Sequence, residues 1–149
     1  MADLPVTTDD PRLIWRDGRL VRWQDATLHV LSHVVHYGSS VFEGIRCYET
    51  PEGPAIFRLR EHMRRLVDSC RIYRIPLRWS LAELERAAVD TVLANGFRHC
   101  YLRPLVVRTG EQMGILPFDV PVETFLIAMP WGTYLGKDAL EQGVDVCVS

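Results

Sequence analysis

Apolar residues recur with helical spacing in two stretches of the chain. Between Arg60 and Ile72 they fall at positions i, i+3, i+4 and i+7, which predicts one amphipathic helix. Ser80 and Glu83 have the spacing of a capping box at the start of a second stripe, which runs to Asn95. The pattern therefore predicts two helices in the middle of the chain.

Short apolar runs typical of strands lie on both sides of these helices. The first two runs, residues 13–16 and 19–22, flank Asp17-Gly18, a dipeptide that favours a type I′ hairpin turn. Further strands are predicted at residues 45–48, 55–58, 101–107 and 124–129. Together these elements predict an α+β fold in which two helices pack on a mainly antiparallel sheet.

The segments between and beyond these elements are less regular. Residues 28–37 mix helical spacing with β-branched residues, which indicates a short helix or an irregular segment, and residues 110–117 are predicted as a loop. The polar residues 1–12 are predicted as a flexible arm. After Pro130 we expect a helical turn around residues 138–142 and a strand at 144–148, where the chain stops. Because a chain seldom stops inside an apolar strand, we expect a longer protein.

Composition narrows the class of protein. The net charge is −2 and the pI is near 6.2, and no basic cluster is interleaved with aromatic residues, so nucleic acid is not an expected partner. No apolar run approaches the roughly 18 residues of a membrane span. The four cysteines form no CxxC pair, which favours reduced thiols in a cytoplasmic protein.

Three arginines at the ends of predicted elements, Arg46, Arg65 and Arg103, are candidates for binding a small anion. The guanidinium group is permanently charged, and its fork of N–H donors matches a carboxylate or phosphate. A solvated helix face or a structural ion pair is the alternative, especially for Arg65 with Arg64 beside it.

Aromatic residues near glycines suggest a pocket for a small molecule, because glycine permits close backbone approach and aromatic rings line apolar pockets. These residues are Tyr37, Phe42, Tyr48, Trp131 and Tyr134. The alternative is that they belong to the core.

Three histidines, His29, His33 and His36, would share one face of a continuous helix, as a zinc site requires. No carboxylate or cysteine is placed to complete the set, so histidines at the edge of the core are the preferred interpretation and no metal is expected. The chain also has no GxGxxG, P-loop or GxSxG motif.

Several ordered motifs resemble the branched-chain amino-acid aminotransferases, which are fold-type-IV enzymes that use pyridoxal phosphate. The motifs are HYGSSVFEGIRCYE at residues 36–49, HMRRL at 62–66, YLRPLV at 101–106, MGILP at 113–117 and PWGTYLG at 130–136. The resemblance runs from about Ile14 to the last residue. It implies that residues 13–130 form the small amino-terminal domain and that residues 131–149 are the interdomain linker and the start of a second domain.

The resemblance also implies a role for each matching residue. Arg65 matches the arginine that binds the phosphate of pyridoxal phosphate, and Arg103 matches the one associated with the second carboxylate of glutamate. The substrate-pocket residues that the resemblance implies are Tyr37, Phe42, Arg46, Trp131 and Tyr134. The loop containing Met113, Gly114 and Ile115 resembles one that reaches the neighbouring subunit of a homodimer or larger homo-oligomer.

The implied activity is transfer of the amino group of leucine, isoleucine or valine to 2-oxoglutarate, which gives glutamate. Family members hold the cofactor through a Schiff-base lysine, and the resemblance places that lysine beyond Ser149. Lys137 is the only lysine in the chain and is expected to be a solvated helix residue. We therefore expect the 149-residue chain alone to be inactive. The alternative is a truncated product or dimerisation module with the same fold.

Overall fold

An antiparallel sheet of seven strands forms the framework of the computed structural model, which describes residues 10–132, 142–143 and 145–147. In chain order the elements are β1 (Leu13–Arg16), β2 (Arg19–Arg22), a 3-10 turn (Trp23–Asp25), α1 (His33–Tyr37), β3 (Ser40–Phe42), β4 (Ile45–Thr50), β5 (Gly53–Ile56), α2 (Leu59–Ile72), α3 (Leu81–Ala94), β6 (Cys100–Arg108) and β7 (Val122–Met129). The predicted α+β class and antiparallel sheet are confirmed.

The central strand of the sheet is β6. The strand order is β2-β1-β7-β6-β4-β5, and β3 also pairs with β6. Strands β3 and β4 lie end to end along one edge of β6, separated by Glu43 and Gly44. At this interruption Pro104 has no N–H to donate, and its carbonyl accepts the N–H of Glu43 at 2.9 Å. The interruption therefore brings Glu43 to the middle of the sheet.

Helices α2 and α3 cover one face of the sheet, because alternate strand residues on that face are apolar. Leu102 and Val106 of β6 and Leu126 of β7 are buried there. Met63 and Leu66 of α2 pack against them, and so do other residues of both helices. The other face of β6 presents Tyr101, Arg103 and Leu105 instead.

Local signals explain the boundaries of the most accurately predicted elements. The hydroxyl of Ser80 accepts the N–H of Glu83, and the Glu83 carboxylate accepts the N–H of Ser80, so the predicted capping box starts α3. In the predicted hairpin turn Asp17 has φ 46° and Gly18 has φ 93°, as a type I′ turn requires. Of the two alternatives predicted for residues 28–37, a short helix or an irregular segment, the helix is present as α1.

Some boundaries differ from those predicted. Strand β5 occupies residues 53–56 rather than 55–58, because the turn before it needs only Pro51 and Glu52. Strand β3 was missed because three residues are too few to show alternation. Most of the predicted helical turn around 138–142 lies outside the described residues, and so do the ends of the predicted strand 144–148. Residues 145–147 of that strand are exposed and carry no strand structure. Within the described part of the chain, no helix has the length and apolarity needed to cross a bilayer.

Truncating Leu102 is expected to destabilise the fold. Its side chain is fully buried between the sheet and the helices, so Leu102→Ala removes apolar contacts and leaves a cavity. We expect the free energy of unfolding to fall by about 2–5 kcal/mol in urea denaturation. Leu93→Ala on the exposed side of α3 is the matched control, with an expected change within about 0.5 kcal/mol. Equal losses would show that Leu102 does not belong to the core.

Candidate functional site

The sheet face opposite the two long helices carries most of the predicted site residues. Tyr101 and Arg103 share this face because they are two residues apart in β6. Arg46 of β4 lies directly opposite Tyr101 in the strand register, so its side chain leaves the sheet on the same face. Two of the three predicted arginines are therefore brought together by strand pairing.

Arg103 is held among aromatic rings. Its Nη2 and Nε donate to the Tyr101 hydroxyl at 2.8 and 3.2 Å, and its guanidinium carbon lies 4.3 Å from the centre of the Phe42 ring. Tyr101 in turn stacks on Trp131, with ring centroids 4.8 Å apart. We call Phe42, Tyr101, Arg103 and Trp131 the aromatic cluster. It presents a cation on an apolar surface, which suits a ligand with a carboxylate and a hydrocarbon part.

Gly44 allows the aromatic cluster to form. A Cβ atom at this position would overlap the Tyr101 hydroxyl oxygen, because the two would lie closer than side-chain atoms can approach. Tyr101 cannot swing aside freely, because Arg103 and Trp131 hold it. Glycine is therefore required here by contact rather than by backbone angle.

Tyr37 contacts the loop that the sequence predicted at residues 110–117. Its hydroxyl donates to the Met113 carbonyl at 2.8 Å, and the N–H of His33, also in α1, donates to the Gly110 carbonyl at 3.0 Å. Met113 and Ile115 expose 61% and 80% of their surface, respectively, and Gly114 between them is also exposed. The loop is thus tied to α1 while its apolar side chains stay accessible.

Arg65 lies on α2 and is paired with the carboxylate of Glu43. Its Nε and Nη2 donate to Oε1 and Oε2 of Glu43 at 2.5 and 2.6 Å, so the pair is bidentate. Nδ1 of His62, one turn earlier in α2, lies 2.9 Å from Oε2 of the same carboxylate. The Arg65 side chain remains 67% exposed, whereas that of Glu43 is 4% exposed. A buried acid therefore orients an accessible cation.

The electrostatics of this pair favour the ionised state of both groups. Burial by itself raises the pKa of Glu43, but hydrogen bonds from Arg65 and His62 outweigh it, and the pKa lies below its ordinary value. The hydrogen bond to Glu43 raises the pKa of Arg65 further above its usual range.

Three residues of this site were missed in the sequence, namely Glu43, His62 and Tyr101. Tyr101 could have been predicted, because strand alternation places it on the same face as Arg103. His62 precedes Arg65 by three residues, which is helical neighbour spacing. Glu43 gave no signal, because its position depends on the interruption between β3 and β4.

The remaining candidates lie elsewhere. Tyr48 packs against Phe57, with ring centroids 6.4 Å apart, and does not join the aromatic cluster. Tyr134 and Lys137 lie outside the described residues.

The three histidines do not form the alternative zinc site. His33 bonds Ser39, His36 bonds the Val30 carbonyl, and His29 lies 3.8 Å from Glu111. Among the described residues no group of three metal-ligating side chains is found. The helix is only five residues long, so the spacing that put three rings on one face does not hold over residues 29–36.

Arg108 anchors the base of the 110–117 loop. Its side chain is buried, and it donates to the carbonyl of Pro117 and, at 2.7 Å, to the carbonyl of Arg74. Burial lowers the pKa of Arg108. The loop is therefore joined to the turn after α2 as well as to α1.

Arg108→Met should loosen this loop, because methionine fills space but donates no hydrogen bond. We expect faster amide hydrogen exchange in residues 111–118, with the exchange of α3 unchanged. Arg98→Met is the control, since Arg98 is an exposed arginine paired with Glu49 on another part of the surface. Unchanged exchange in the loop would contradict the anchoring role.

Comparison with known proteins adds independent evidence. The sequence model of the family described as amino-transferase class IV matches residues 40–149. The branched-chain-amino-acid aminotransferase of Escherichia coli K12 is 48% identical over 145 residues, which cover 97% of this chain and 47% of that protein. The chain thus spans about half the length of the curated relatives it matches.

Solved structures agree with the sequence comparison. A crystal structure of the E. coli branched-chain aminotransferase superposes with a TM-score of 0.85 at 49% identity, covering 91% of this chain and 45% of that one. A T.th. branched-chain aminotransferase complexed with N-(5′-phosphopyridoxyl)-L-glutamate gives a TM-score of 0.78 at 44% identity, covering 81% and 41%. The described fold is that of the amino-terminal domain of such proteins.

Proposed function

We propose that this chain, which belongs to the class IV aminotransferase family, is part of a pyridoxal-phosphate enzyme that transfers the amino group of branched-chain amino acids to 2-oxoglutarate. The observation that carries the proposal is the accessible Arg65 guanidinium, held by the buried Glu43, whose neighbour in sequence, Phe42, contacts Arg103 in the aromatic cluster. The similarity to branched-chain aminotransferases supports the choice of substrate class.

The residues of the chain fit the phosphate of the cofactor. Arg65 is permanently charged and exposed, and Glu43 holds its Nε and Nη2, which leaves the N–H groups of Nη1 to donate to a phosphate. The T.th. relative was solved with a phosphopyridoxyl compound, which supports the same chemistry here. When bound, pyridoxal phosphate supplies the electron sink for amino-group transfer.

The chain itself contributes substrate contacts. On this proposal Tyr37, Phe42 and Trp131 enclose the hydrocarbon side chain and exclude water from it, with Arg46 on the same sheet face. Arg103 binds the second carboxylate of glutamate or 2-oxoglutarate, and Tyr101 fixes its orientation through two hydrogen bonds. One pocket then accepts either a branched hydrocarbon or a carboxylate.

Proton transfer requires an amine, and we propose that it comes from a lysine of the full-length protein outside these 149 residues. Relatives that are about twice as long as the matched stretch support this division. The chain alone is then inactive, and its part in the reaction is to bind and orient.

We also propose that two or more copies of the protein associate through the 110–117 loop. The exposed side chains of Met113 and Ile115 support this contact, because apolar groups at a loop tip gain stability when a partner covers them. All four cysteines are free thiols, which supports a cytoplasmic location.

Arg65→Ala is expected to weaken binding of pyridoxal phosphate to the full-length protein. The substitution removes a charge-assisted contact worth roughly 1.5–3 kcal/mol, so the dissociation constant measured by absorbance titration should rise by about tenfold or more. The adjacent and exposed Arg64→Ala is the control and should bind as the native protein does. Unchanged affinity in Arg65→Ala would count against the phosphate site.

Arg103→Ala in the full-length protein is expected to impair the reaction with glutamate more than the reaction with leucine, since only glutamate has a second carboxylate. In steady-state kinetics kcat/KM for glutamate should fall by about tenfold or more beyond any loss for leucine. An equal loss for both amino acids would instead indicate damage to the pocket as a whole.

A further inference from the structure

Glu43 is a buried carboxylate whose side-chain bonds all lead to α2. Oε1 accepts one hydrogen bond from Arg65, and Oε2 accepts a second one and also contacts His62. The Glu43 side chain is 4% exposed and that of His62 is 19% exposed. The acid is therefore inside the protein, while the arginine it orients reaches out to solvent.

Stability alone is a poor explanation for this arrangement. Burying a carboxylate costs desolvation free energy, and an ion pair with one buried partner often contributes little net stability. Without a partner, the exposed Arg65 side chain would remain hydrated and charged. The pair instead fixes an orientation. Two hydrogen bonds to Glu43 hold the plane of the Arg65 guanidinium, which otherwise samples many rotamers.

The backbone fixes Glu43 in turn. Its N–H donates to the Pro104 carbonyl at 2.9 Å, at the interruption between β3 and β4. Its neighbours in sequence are Phe42, which contacts Arg103, and Gly44, which makes room for Tyr101. The orientation of Arg65 is thus set by the same backbone segment that builds the aromatic cluster.

We propose that Glu43 is a positioning residue that aims the Arg65 guanidinium at the phosphate of the cofactor, with His62 holding the second carboxylate oxygen. This inference rests on the proposed function. Glu43 touches neither phosphate nor substrate in this role and acts only through Arg65. A purely structural ion pair would instead maintain the fold and have no particular effect on phosphate binding.

The two roles are separated by comparing two ligands of the full-length protein. Pyridoxal phosphate and pyridoxal share the ring and the aldehyde, and only the first has a phosphate. Glu43→Gln keeps the shape of the side chain but removes its charge. We expect it to lower the affinity for pyridoxal phosphate by about tenfold, an effect typical of losing a supporting partner. Affinity for pyridoxal, measured by the same absorbance titration, should stay unchanged.

Two further variants keep the test decisive. Glu49→Gln removes the acid from the exposed Glu49–Arg98 pair and should bind both ligands as the native protein does. If Glu43→Gln fails to fold, Glu43→Asp retains the charge but retracts it from Arg65, and it should show the same selective loss. Exchange of the Arg65 Nε–H with solvent, followed by NMR without cofactor, should accelerate in either Glu43 variant.

The outcomes distinguish the inference from the proposed function. If the native protein binds pyridoxal phosphate, the positioning role is overturned when Glu43→Gln lowers the affinity for both ligands equally or for neither. A native protein that does not bind pyridoxal phosphate overturns the proposed function, and the inference with it. Selective loss of phosphate-dependent affinity supports both.

Discussion

The pairing of β6 along both of its edges determines where the site residues lie. One edge carries β7, and the other carries β3 and β4 in succession. Because side chains alternate, the strand places Leu102 and Val106 in the core while Tyr101 and Arg103 face the site. A shift of register by one residue would exchange the core-facing and site-facing residues. Burial of Leu102 and Val106 therefore also fixes the face on which Arg103 lies.

Two buried charges are accommodated in different ways. Hydrogen bonds from Arg65 and His62 keep Glu43 ionised, and the Arg65 guanidinium remains accessible to a ligand. Arg108 instead donates to backbone carbonyls at the ends of two loops, and burial lowers its pKa. The first arrangement orients a charged group for binding, whereas the second uses a charged group to hold chain segments together. Arg65 stands in a recognisable motif of the sequence, whereas Arg108 was not singled out.

Much of the fold was predictable because its signals are local. The capping box at Ser80 and the Asp17-Gly18 turn depend on residues a few positions apart, and both occur as predicted. Pairing of β4 with β6 brings the motif residues Arg46 and Arg103 to one face of the sheet. Glu43 was not predictable, because its burial follows from the distant residue Pro104 lying across the gap between two strands. Non-local contacts of this kind leave no periodic trace in the sequence.

The close approach of Gly44 to Tyr101 has a consequence for how such a pocket can change. A larger residue at position 44 requires a smaller one at position 101, but a smaller residue at 101 removes the hydroxyl that accepts from Arg103 and the ring that stacks on Trp131. The effects of substitutions at these positions are therefore non-additive. A pocket of different shape at this surface therefore requires coordinated changes at several positions, because a single substitution of Gly44 or Tyr101 breaks contacts that the other residue depends on.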